Sequence, residues 1–117
     1  MLSPLPAMFY HPCYSELVLP QQHRYPIQKY RTLYEELLNL GVPAGAFSQS
    51  TPISVAELAA FHCPSYINSL YDGSIDAKAM RRIGFPWTAQ LFQRSLCSLG
   101  GTLQTGQAAL EKGIALH

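Results

Sequence analysis

Four histidines (His11, His23, His62 and His117) and three cysteines (Cys13, Cys63 and Cys97) are the residues of this 117-residue sequence best suited to metal or nucleophilic chemistry. Zinc needs three or four converging nitrogen, sulfur or carboxylate ligands. No two of the histidines stand four apart, none has a carboxylate at ligand spacing, and no Cys-x-x-Cys occurs. The spacing predicts no metal site within the chain. Cys63 follows His62, yet neighbours in sequence are not a catalytic pair, and no third group is placed to orient them. His11 and His23 read as loop histidines, His62 as a helix-end histidine and His117 as a chain end.

GGTLQTG at 100–106 is glycine-rich but lacks the Gly-Lys-Ser/Thr ending of a phosphate loop, and it falls inside a helical pattern. There is no Gly-x-Ser-x-Gly nucleophile elbow. The seven carboxylates read as helix caps and helix surface, and the seven tyrosines as amphipathic residues at the core edge. Taken by themselves, these residues make no active site.

The elements that would position them alternate in type. AMFY at 7–10 is a short apolar strand, followed by a loop in which Pro12 and Pro20 block regular structure. Pro26 suits a first helical position, and Ile27, Tyr30, Tyr34, Leu37 and Leu38 then share one helical face up to Gly41. Pro43 to Thr51 reads as a second strand centred on AGAFS. SVAE at 54–57 is a capping box before a short helix reaching Phe61. Pro64 opens a helix ending at Asp72-Gly73, and Ser74 is expected to cap another ending near Gly84. FPW at 85–87 is a turn, and Thr88 caps a long helix whose apolar stripe runs from Leu91 to Leu110. Gly100, Gly101 and Gly106 cost that helix about 1 kcal/mol each relative to alanine, so they are expected to permit close approach of a neighbour. EKGIALH closes the sequence: a helix end, a glycine cap and a strand at Ile114–Leu116, as though more chain follows. Helices joining strands favour a parallel sheet, and the fold class is α/β.

Composition narrows the function. One domain is expected, with a core that buries roughly 65% of the unfolded surface. Hydrophobic residues make up 48% and charged residues 13%. Globular domains average about 25% charged residues, so part of this surface is expected to be covered. The net charge is +1, and Arg81-Arg82 reads as a solvated helix end, so no nucleic-acid stripe is present. Three unpaired cysteines, no signal peptide and no long apolar run point to a cytoplasmic chain without a membrane segment.

Together the segments resemble the opening of the histone deacetylase superfamily, in particular its bacterial and class IV-like members. The resemblance rests on FYHPCYSELVLPQQHRYPIQKYRTLYEELLNLG, AELAAFHCPSYINSLYDGS and RRIGFPWTAQLFQRSLCSLGGTLQTGQAAL, in that order, and spans residues 7–117. It implies a partial three-layer deacetylase/arginase-like fold with a short parallel sheet of about three strands. It implies that the zinc ligands, the paired histidines and the catalytic tyrosine follow His117, so zinc belongs to the intact domain only and this chain alone is inert. It places His23, Arg24, Tyr25 and Pro26 in a loop bordering the pocket. Lys29 falls where many members carry an arginine near an internal channel, and lysine cannot form the same planar fork. Phe85 stands about where some members offer an aspartate to the substrate. An open sheet edge and uncovered helix faces are expected to drive self-association, as a dimer. The alternative expectation is a free-standing oligomerisation or interaction module, and a third is an enzyme with a site of its own.

Overall fold

The computed structural model describes residues 4–117. β1 (Ala7–Tyr10) lies between β2 (Phe47–Gln49) and β3 (Ala115–Leu116), giving one parallel sheet in the order β2-β1-β3. Met8 pairs with Phe47 on one side and Leu116 on the other. Parallel neighbours need crossovers rather than hairpins. α1 (Lys29–Asn39) supplies the first, and α2 (Val55–Leu58), α3 (Pro64–Asp72), α4 (Ala77–Ile83) and α5 (Ala89–Lys112) lie in the second. The α/β class with a three-stranded parallel sheet is as the sequence predicts.

Local chemistry sets the helix ends. Ser54 and Glu57 form the reciprocal capping box, and the Thr88 hydroxyl accepts from the Leu91 amide. Gly73 and Gly84 close α3 and α4 at φ 80° and 89°, a conformation that disfavours side chains. Three expectations are corrected. The α4 cap is Asp76, which accepts from Lys78 and Ala79, while Ser74 only donates its amide to Asp72. α1 begins at Lys29 rather than Pro26, because Tyr25 and Pro26 first turn the chain by accepting from Ile27 and Lys29. The stretch 43–51 is strand only over Phe47–Gln49, since Ala44–Ala46 winds into a 3-10 turn.

The core has two centres. Ile53, Leu58, Ile67, Phe92 and Leu96 form one, and Leu17, Met80 and Leu91 the other, with Leu70 packed against both. Each such side chain contributes about 1.5–3 kcal/mol through burial. α5 unites them. Gly100 lets residues 51–53 lie directly on the helix, where the Ile53 amide donates to the Leu96 carbonyl at 2.9 Å. A Cβ at Gly100 would sit 1.8 Å from the Thr51 carbonyl oxygen. Gly106, by contrast, has open space around it.

The molecule is a slab of 55 × 35 × 18 Å. Its radius of gyration is 16.3 Å, against about 13 Å for a compact domain of this length. Its accessible surface is 8035 Å², whereas a compact chain of this mass exposes about 6,300 Å². Part of the excess is apolar: Leu99, Leu103 and Leu110 on α5, with Ile114 and Leu116 beside them in sequence, are all exposed. α1 likewise buries no residue fully. No helix among the described residues is long and apolar enough to cross a membrane.

Candidate functional site

The loop before α1 brings three of the six residues singled out above into one aromatic cluster. The His23 ring stacks on Phe85 at 5.2 Å, and Tyr25 meets the same ring edge-on at 5.0 Å. His23 is tied at both nitrogens. Its Nδ1 accepts from the Tyr25 amide at 3.2 Å, and its Nε2 lies 2.8 Å from the Gly84 carbonyl oxygen, to which it donates. The loop is thereby pinned to the end of α4, sixty-one residues away. Phe85, placed by the Gly84 cap and the FPW turn, fills this contact with an apolar ring.

Lys29 joins the cluster from α1. Its Nζ lies 5.1 Å from the ring centres of both Tyr25 and Tyr30, close enough for cation–π attraction. The Tyr25 and Tyr30 hydroxyls are hydrogen-bonded to each other. Burial and that bond raise the Tyr25 pKa. Burial pushes Tyr30 up as well, but the Tyr25 bond and the Lys29 charge outweigh it and lower its pKa overall. Arg94 of α5 completes the arrangement, its guanidinium 5.5 Å from the Tyr30 ring while its Nε donates to the Tyr14 carbonyl. Arg24 and Pro26 are exposed outside this contact set, and Pro26 with Lys29 lines an open groove of about 640 Å³. The cluster is built to hold a loop, with one exposed cation at its edge.

A second constellation lies at the end of β1, where sequence spacing predicted nothing. His11, Cys13 and Cys97 offer a ring nitrogen and two Sγ atoms that all lie within 4.8 Å of one another. β1 ends in a 3-10 turn over Pro12–Ser15, and His11 caps it, its Nδ1 accepting from the Cys13 amide at 2.9 Å. Cys97 arrives from the buried face of α5, and its Sγ is 3.7 Å from the Ser50 carbonyl. Burial, reinforced by a hydrogen bond with Cys97, pushes the Cys13 thiol up to about 12. The only sequence signal was His-x-Cys at 11–13, since Cys97 is brought in by tertiary packing.

Beside it runs a polar string. The Tyr14 hydroxyl donates to Ser50 Oγ at 2.7 Å and lies 2.8 Å from His117 Nε2, and His117 Nδ1 is 3.3 Å from Thr102 Oγ1. Gly101 makes room for it, because a Cβ there would lie 2.4 Å from the His117 ring. Burial raises the Tyr14 pKa to about 12, partly offset by the Ser50 bond, and burial lowers that of His117.

A deacetylase-type zinc site is built from two aspartates and a histidine, as the resemblance implies. The one converging group among the described residues is a histidine with two cysteines. That sulfur-rich donor set does not fit the implied site, and no deacetylation step is routed through it.

No family model matches the chain. It is 42% identical over 110 residues to an uncharacterized protein of Picosynechococcus sp., an alignment covering 92% of this chain and 36% of that protein. The chain therefore spans 36% of the length of this curated relative.

Proposed function

We propose that this chain is the N-terminal scaffold of a zinc-dependent, histone-deacetylase-like amidohydrolase, a partial three-layer fold that carries the pocket-border loop but not the catalytic groups. The observation that carries the reading is the excess surface. An 18 Å slab exposing roughly 1,700 Å² more than a compact chain of its mass is the shape of a part awaiting its cover. The apolar residues at the end of α5 and on β3 are where further strands and helices of a larger α/β domain would pack. The length of the Picosynechococcus relative leaves ample chain for them. In this reading the His23–Tyr25–Phe85 cluster and Lys29 form one wall of the substrate entrance, and the substrate class is an acetylated amine.

The test uses the relative. Its full-length protein is expected to hydrolyse an acetyl-lysine peptide, to lose that activity on chelation and to regain it with zinc. The segment of the relative outside the 110 aligned residues, mixed with this chain, is expected to form a one-to-one complex. A full-length relative that folds, binds zinc poorly and leaves acetylated amines untouched overturns the proposal.

A second reading, a self-associating module, is favoured by one specific feature: β3 is a sheet edge with Leu116 half exposed. Light scattering on the chain alone separates the two. A concentration-dependent symmetric dimer supports the module, and a monomer that responds only to the relative's remaining segment supports the scaffold.

A further inference from the structure

We propose that His11, Cys13 and Cys97 form a binding site for a single thiolate-preferring metal ion, with zinc(II) the expected occupant and water its fourth ligand. Three observations carry it. First, the donors converge from two distant segments: the 3-10 turn after β1 with its His11 cap, and the middle of α5. Second, the spread of 4.8 Å is close to what a metal requires. Two sulfurs each about 2.3 Å from a tetrahedral zinc stand about 3.8 Å apart, so side-chain rotation of about an ångström closes the set. Third, the surroundings preset the histidine. Its Nδ1 accepts from the Cys13 amide, so the neutral ring carries its proton on Nε2. That nitrogen lies 3.3 Å from Gln49 Nε2, and exchanging the nitrogen and oxygen of that amide, whose assignment follows the hydrogen-bond network, lets the oxygen accept the ring N–H. Metal ligands of this kind commonly donate the distal N–H to such a partner, which fixes the tautomer.

Binding exchanges the His11 Nδ1 bond to the Cys13 amide for a coordinate bond to the metal. The two thiols release their protons to solvent as they become thiolates, and no electron is transferred. Cys97 is buried while His11 and Cys13 are half-buried, so the ion is anchored from below and enters from the β1 side. Two sulfurs and one nitrogen favour zinc or copper(I) over magnesium or calcium, which take oxygen ligands. This site is independent of the deacetylase reading, whose zinc ligands are not these residues.

The experiment is titration of the reduced, chelator-treated chain with cobalt(II) as an optical probe, then displacement by zinc. One equivalent should bind with an intense sulfur-to-metal charge-transfer band. Zinc should protect two of the three thiols from alkylation, leaving exposed Cys63 reactive. Cys63→Ser should bind as the parent does, Cys13→Ala should lose the band, and Gln49→Ala should weaken binding about ten- to hundred-fold. Circular dichroism checks that each variant is folded, and the alkylation pattern of the unaltered chain needs no variant at all. A folded chain with no charge-transfer band overturns the site. So does equal alkylation of all three cysteines with and without zinc, a band that survives in Cys13→Ala, or unchanged affinity in Gln49→Ala.

Discussion

The two halves of α5 are chemically alike in sequence and opposite in circumstance. From Leu91 to Gly101 the helix buries Leu91, Phe92, Leu96, Cys97, Gly100 and Gly101. From Thr102 to Lys112 it buries none, and Leu103 and Leu110 face outward. The apolar stripe is continuous across both, so periodicity cannot tell them apart. The difference lies in what meets the helix. The backbone at Ile53 bonds the first half through the Leu96 carbonyl, while the second half is met by polar contacts, Gln104 with both backbone groups of Thr51 and Thr102 with His117, that leave Leu103 and Leu110 uncovered. The apolar residues left uncovered on the second half are what the proposed scaffold reading would have a further segment cover.

Substitutions break or sharpen the comparison. The largest effect is expected from Gly100→Ala, where the new methyl meets the Thr51 backbone and neither side can yield cheaply. A loss of about 3 kcal/mol or more is expected by chemical denaturation. Tyr14→Phe should cost about 1–2 kcal/mol, since Ser50 Oγ and His117 lose their shared partner inside the molecule. Gly106→Ala, on the open half, should instead stabilise the chain by up to about 1 kcal/mol. Leu110→Ala should leave the stability of the isolated chain within about 0.5 kcal/mol. The same substitution should weaken any complex with the relative's remaining segment, read by titration calorimetry. Equal penalties at Gly100 and Gly106 would erase the distinction between the halves.

The smallest effect is one of pH. Burial lowers the pKa of His117 below its ordinary 6.5, so the folded chain holds this ring neutral where the unfolded chain already protonates it. Stability is then fully present above about 6.5 and declines as pH falls through 6.5 toward the depressed folded value. The ring keeps contact with solvent, so the decline is slight. Comparing melting temperatures at neutral and mildly acidic pH, with His117→Gln as reference, measures it. A steeper acid decline in His117→Gln than in the parent would contradict the assignment.

The legible parts of the fold were those written in neighbouring residues. The Ser54–Glu57 box, the Thr88 cap, the Gly73 and Gly84 stops and the β1 strand depend on contacts within a few positions. Ser74 misled because Asp76, two residues on, is the better acceptor for the α4 amides. Pro26 misled because the segment Pro20–Ile27 is held elsewhere, through His23 to Gly84 and Ile27 to the cluster of Leu17, Met80 and Leu91. Of the six residues singled out, His23, Tyr25, Lys29 and Phe85 prove to be neighbours, Pro26 shares a groove with Tyr25 and Lys29, and Arg24 is exposed outside these contacts.

The sequence by itself determined the α/β class and those helix ends set by adjacent residues, because propensity and capping act locally, but it read Gly100, Gly101 and Gly106 alike as points of close approach, and Gly106 proves open. Only the tertiary structure decided that Cys97 meets His11 and Cys13, and which half of the α5 stripe is covered. Both depend on where a distant segment comes to rest, and spacing along the chain carries no record of that.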